Sequence, residues 1–172
     1  MLKLIGALFV LFAGTMLGFY QAGQLARRPR QIRQLILALQ RLETEILYGF
    51  SPLPEALQTV SRPLASPLSE LFRQASDSME ERSGASAEES WNGAVSRTWG
   101  QTSMKGNEQE VMKQLGHTLG ISDREDQIKH IRLAVSHLQA EEQTAAEEQK
   151  RFEKMWKSLG VLAAALIVLL MY

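Results

Sequence analysis

The sequence predicts an all-α protein, a bundle of about six helices flanked by an N-terminal and a C-terminal transmembrane helix. Three observations predict it. A long apolar run stands at each end of the 172 residues. No stretch between them alternates β-branched and polar residues as a half-buried strand would. Helix-start signals recur through the middle instead. The expected organisation is a first span and stalk over 1–26, a helical bundle over 27–154 and a second span over 155–172.

Leu2 to Tyr20 is nineteen residues with one charge, Lys3, at its edge. As a helix it reaches roughly 28 Å, close to the thickness of a bilayer core. It lacks a clear small-residue cleavage site before a polar start, so it reads as a retained helix rather than a signal peptide. At the other end, Ser158 to Tyr172 is fifteen uncharged residues. That run reaches only roughly 22 Å, short of a full span. It is apolar on all faces, unlike a soluble amphipathic helix. Lys150, Arg151, Lys154, Trp156 and Lys157 precede it like an interfacial anchor.

Arg27, Arg28, Arg30 and Arg33 follow the first run, and the second basic cluster precedes the second run. Both clusters belong to the central region. The positive-inside rule therefore places that region in the cytoplasm and both termini outside. Each span carries small residues four apart, Gly14 and Gly18 in the first, Gly160 and Ala164 in the second. Such spacing allows close backbone approach in lipid, so these four are candidates for membrane helix packing.

The body reads as helices in order. Ile32, Leu35, Ile36, Leu39, Leu42 and Ile46 recur at helical spacing, and Gly49 ends that helix. Ser51-Pro52 starts a short helix with Leu53, Ala56, Leu57 and Val60, proline taking its first position. Ser66-Pro67 repeats the start, followed by Leu68, Leu71, Phe72, Ala75 and Met79. Three capping boxes come next, Ser86/Glu89, Asn107/Glu110 and Ser122/Glu125. The first opens a helix with Trp91, Ala94 and Val95; the second one with Val111, Leu115 and Leu119, closed by Gly120. The third opens the longest, where Ile128, Ile131, Val135 and Leu138 form a seam like that of a coiled coil. No break residue follows until Gly160. Residues 82–87 and 100–106 are the expected loops.

Charge narrows the function. Residues 1–42 carry net +6, residues 43–149 net −9 and residues 150–172 net +3. An acidic body argues against nucleic acid as a partner. With no cysteine, disulfides, thiolate metal sites and cysteine catalysis are excluded. There is no Gly-rich phosphate loop ending in Lys-Ser or Lys-Thr and no Gly-x-Ser-x-Gly elbow. His117, His130 and His137 lack a partner pattern for a metal, and read as exposed or interfacial. Glu141-Glu142 and Glu147-Glu148 read as a solvated face. The chain is expected to be no enzyme, with no catalytic residue, metal or cofactor.

The segment LETEILYGFSPLPEAL, Leu42 to Leu57, has two readings. It is a helix–turn–helix joint with solvated carboxylates, or an acidic docking edge at that joint. Gly120-Ile121-Ser122-Asp123 is a second corner, whose Asp suits the positive end of a helix dipole.

At these joints the chain resembles the stage III sporulation protein AB family. LETEILYGFSPLPEAL, the preceding RRPRQIRQLILAL, the LGISDREDQIKHI corner and the apolar tail carry the resemblance, which runs over essentially the whole chain. That family is similar to the membrane platform protein of type II secretion and type IV pilus machines, whose cytoplasmic domain is a bundle of about six helices. The resemblance implies a component of a sporulation-specific, secretion-like channel complex between mother cell and forespore, seated in the mother-cell membrane around the forespore. It implies two kinds of protein partner besides the lipid bilayer: a secretion-type cytoplasmic ATPase and other membrane proteins of the complex. The chain departs from the secretion platform in having one bundle and two spans rather than two bundles and three spans.

On this reading the bundle docks the ATPase. Glu43, Glu45, Tyr48 and Asp123 are the candidate contacts, because acids beside helix corners are placed for a basic partner. The alternative is a two-span sensor or regulator that signals through a dimeric C-terminal helix built on the Ile128–Leu138 seam.

Overall fold

The computed structural model describes residues 26–49, 51–81, 86–119 and 123–171. Within them lie six α-helices and one short 3-10 helix. They are α1 (Arg27–Tyr48), α2 (Leu53–Ser61), α3 (Leu68–Glu80), α4 (Ala87–Thr98), the 3-10 turn Trp99–Gln101, α5 (Gly106–Gly116) and α6 (Arg124–Met171). No strand occurs among the described residues. Arg28–Gln143 forms one compact unit; a second unit takes in α6 from Thr144 onward.

Helical periodicity becomes the core of the compact unit. Ile32, Leu35, Ile36, Leu39 and Leu42 of α1 are buried. Pro29 is tolerated because it sits in the first turn of α1, where its missing N–H has no intrahelical partner to lose. Helices α2, α3, α4 and α5 each pack on their neighbour in the sequence. Trp91 is fully buried and meets Phe72 edge-on, with ring centroids 5.7 Å apart. Its indole N–H donates to the Met112 carbonyl at 2.6 Å, so α3, α4 and α5 converge on one side chain. The Ser76 hydroxyl donates to the Pro54 carbonyl and fixes α3 to the start of α2.

Helices α1 and α6 run antiparallel. Arg33 Nε donates to Glu142 Oε1 at 2.8 Å, and Arg132 Nε donates to Glu43 Oε1 at 2.7 Å. Moving up α1 thus means moving down α6. At the Arg28 end a third pairing is buried. Arg28 Nε donates to Glu108 Oε1 at 2.8 Å, and its Nη2 reaches Glu141 Oε2 at 3.2 Å. The Glu108 side chain is fully buried, and its other oxygen accepts the Lys105 N–H at 2.9 Å. Asn107 Nδ2 also donates to Glu141.

Several expectations need correction. Glu141 and Glu142 are not a solvated face: both are held by arginines of α1. The Ile128–Leu138 seam is buried within the chain's own bundle, which leaves it no free face for a dimeric coiled coil. Val111 is half-buried, and Met112 takes the core position on α5. Pro52 and Pro67 each stand just before their helix rather than at its first position, and the Ser66–Pro67 peptide is cis. The Ser86/Glu89 box forms in both directions. The Asn107/Glu110 box does not form, since α5 begins at Gly106 and Glu108 reaches back to Lys105. Helix α5 ends at Gly116, ahead of Gly120. Of the expected loops, residues 82–85 lie outside the described residues, Ala87 is helical, and Gly100 and Gln101 belong to the 3-10 turn.

Among the described residues no helix is long and apolar enough to cross a membrane. The expected first span, with Gly14 and Gly18, lies outside the described residues. The uncharged run after Lys157 is helical as far as Met171 and contains Gly160 and Ala164.

Candidate functional site

The antiparallel register of α1 and α6 decides where the four candidate contacts fall. Glu43 faces Arg132, so each further step along α1 matches a step back toward the start of α6. The last turn of α1, with Glu45 and Tyr48, and the first turn of α6, preceded by Asp123, therefore lie at the same end of the compact unit. The candidates share an end of the fold, and their surroundings differ.

Glu43 is committed inside the chain. Its carboxylate is mostly covered and accepts from the Arg132 guanidinium. Sequence reasoning missed this because the partner is 89 residues away. Glu45 is half-buried, and its backbone carbonyl accepts the Gly49 N–H at 2.8 Å. Gly49 is required there by proximity: a Cβ would stand 2.5 Å from that carbonyl oxygen. Tyr48 is 74% exposed.

Asp123 is exposed and caps α6. Its Oδ1 accepts the Asp126 N–H at 2.9 Å, and its carbonyl accepts the Gln127 N–H at 3.0 Å. The sequence signal was present but off by one residue, since Ser122-Asp123 offers two capping residues in succession. Ser122 itself lies outside the described residues. Asp123, Glu125, Asp126 and Lys129 line an open polar depression around the helix start.

The histidines are peripheral. His117 Nδ1 lies 2.6 Å from Glu88 Oε1 and is mostly exposed, and His130 stands 3.8 Å from Asp126. Among the described residues no three of His, Asp and Glu gather as a metal site would need.

Fold and geometry together define a class: an all-helical bundle protein whose first and last helices are tied by arginine–carboxylate pairs. The comparisons then give the family. Residues 3–172 match the family of stage III sporulation protein AB, and the chain belongs to it. It is 49% identical over 171 residues to the stage III sporulation protein AB of Bacillus subtilis (strain 168), covering 99% of each chain. A solved structure of a stage III sporulation protein AB is 48% identical and superposes with a TM-score of 0.68, covering 73% of this chain and 98% of the other.

Proposed function

We propose that this chain is a non-enzymatic membrane platform component of a sporulation-specific, secretion-like complex between mother cell and forespore. Its bundle docks a secretion-type cytoplasmic ATPase, and its two apolar ends anchor it among the other membrane proteins of that complex. Family membership supports the sporulation role. The basic flanks around the body support a bundle in the cytoplasm with both termini outside, in the mother-cell membrane around the forespore.

The observation that carries the docking surface is the shared end of α1 and α6. There the exposed Tyr48 ring stands at the same end as the carboxylates of Asp123, Glu125 and Asp126. An exposed aromatic at the same end as a group of acids suits a basic partner with an apolar anchor point. Glu43 contributes through the fold, because Arg132 already neutralises it.

The test is binding of the full chain in detergent to the suspected ATPase over a salt series. Tight binding at low salt that weakens with added salt supports an acidic docking surface. Tyr48→Ala and Asp123→Asn are expected to weaken it, the second keeping a capping side chain while removing the charge. Binding that is absent at low salt, or untouched by both substitutions, removes this surface from the ATPase contact.

A further inference from the structure

The outer face of α1 carries an arrangement that the docking reading does not use. Leu37 is 59% exposed in the middle of the helix. Arg30 lies two turns before it and Arg41 one turn after it on the same face, both exposed. Neither has an acidic partner among the described residues, whereas Arg28 and Arg33 are both paired.

The complementary feature lies elsewhere on the same unit. Between α5 and α6 is a groove of about 50 Å³, walled by Val111, Leu115, Leu133 and Ala134 and rimmed by Gln114, His130 and His137. Leu133, at its edge, is 51% exposed. Helices α5 and α6 are antiparallel here, since Asn107 meets Glu141 while Leu115 shares the groove with His130. One turn before Gln114 on α5 stands Glu110, and one turn before His130 on α6 stands Asp126. Because the helices are antiparallel, these two carboxylates mark opposite ends of the groove.

We infer that the Leu37 face of one copy docks into the α5–α6 groove of a second copy. The match is one of spacing and sign. On α1 an apolar side chain is bracketed by two cations, Arg30 at roughly 10 Å and Arg41 at roughly 6 Å along the axis, taking 1.5 Å per residue. On the other surface the groove is bracketed by two anions, Glu110 and Asp126, roughly 18 Å apart along the axis against roughly 16 Å between Arg30 and Arg41. In this contact α1 of one copy lies antiparallel to α6 of the next, as α1 and α6 do within a copy. Arg30 then falls toward Glu110 and Arg41 toward Asp126, offsets that a long arginine side chain spans. The contact joins two different surfaces, so it is head-to-tail and propagates from copy to copy.

The absence of cysteine makes this directly testable in the full chain. Leu37→Cys and Gln114→Cys are introduced singly and together, both at exposed positions, and treated in membranes with a short bismaleimide. Co-expressed single variants are expected to give a cross-linked heterodimer. The double variant is expected to give a ladder of dimer, trimer and higher species, and each single variant alone only monomer. Cross-linking of Leu37→Cys to itself, or no product from the mixture, overturns the inference. Arg41→Glu on the Leu37→Cys copy is expected to lower the yield about tenfold, as like charges would then face each other. Asp126→Arg on the Gln114→Cys copy is expected to restore it. An unchanged yield with Arg41→Glu, or no rescue, also overturns it. Asp126 also belongs to the acidic end proposed for the ATPase, so the cysteine pairs and Arg41→Glu, which leave that end untouched, separate the two readings.

Discussion

The Trp91 indole lies where a side chain at position 116 would begin: a Cβ on Gly116 would stand 2.6 Å from Trp91 Cδ1 and 2.7 Å from Asn92 Oδ1. Gly116 closes α5, and Trp91 is the largest fully buried side chain of the unit. The missing Cβ is what lets α4 and α5 meet this closely. Gly116→Ala is expected to push the indole off Phe72 and off the Met112 carbonyl. A loss of about 1–3 kcal/mol follows, in the range of core overpacking. Denaturant unfolding of the variant checks it, and a wild-type midpoint would show that the indole moves aside freely.

Arg28 and Glu108 make the second case. Both side chains are almost wholly buried, and Glu108 has the additional task of accepting the Lys105 N–H. Removing one partner leaves a buried charge uncompensated, so Arg28→Leu alone is expected to cost about 3–5 kcal/mol. Combining it with Glu108→Leu removes that charge as well. The double variant is expected to recover part of the loss, with the Lys105 N–H still lacking its acceptor. A double-mutant cycle measures the coupling.

Asp123 has a structural role whatever else it touches. Asp123→Ala removes the acceptor for the Asp126 N–H and is expected to cost about 1 kcal/mol, whereas Asp123→Asn is expected to cost much less. If Asn and Ala are equally destabilising, the charge at the helix start matters more than the cap.

Glu70 supplies a pH dependence. Its carboxyl is held below the ordinary carboxylate value, first by the Gln74 amide and then by the Arg73 guanidinium. A carboxylate whose pKa falls on folding adds stability above its unfolded value, about 4.3, and that contribution is lost as the pH falls through the folded value. The site is solvent-exposed, so the effect is small and screened by salt. Gln74→Leu is expected to raise the Glu70 pKa toward its ordinary value in an NMR titration. It also breaks the Arg97–Gln74 hydrogen bond between α4 and α3.

Local signals carried much of this fold in readable form. The apolar stripes of α1, α3 and the first half of α6 were legible because a helix repeats its inward face every three to four residues. The Ser86/Glu89 box was legible because both partners lie within one turn. What was not legible came from pairing across the chain. Nothing near Glu43 announces Arg132, and nothing near Arg28 announces Glu108, 80 residues on. The same distance explains the misreading of Glu141 and Glu142: a local pattern of adjacent acids cannot show that two arginines of another helix face them. At the candidate site, the corner at Asp123 could be read and its end of the bundle could not, since that depends on the register of α1 against α6.

The antiparallel pairing of α1 and α6 also sets how the compact unit would bear a load. Its two chain ends, Arg28 and Gln143, emerge side by side, next to the Arg28–Glu141 and Arg33–Glu142 pairs. A force drawing those ends apart would not shear every contact between the helices at once. It would meet Arg28 first, then Arg33, and reach Glu43 and Arg132 only after the intervening turns had parted. The buried Arg28–Glu108 pair thus stands where peeling would start, as the clasp at the open end of a zipper.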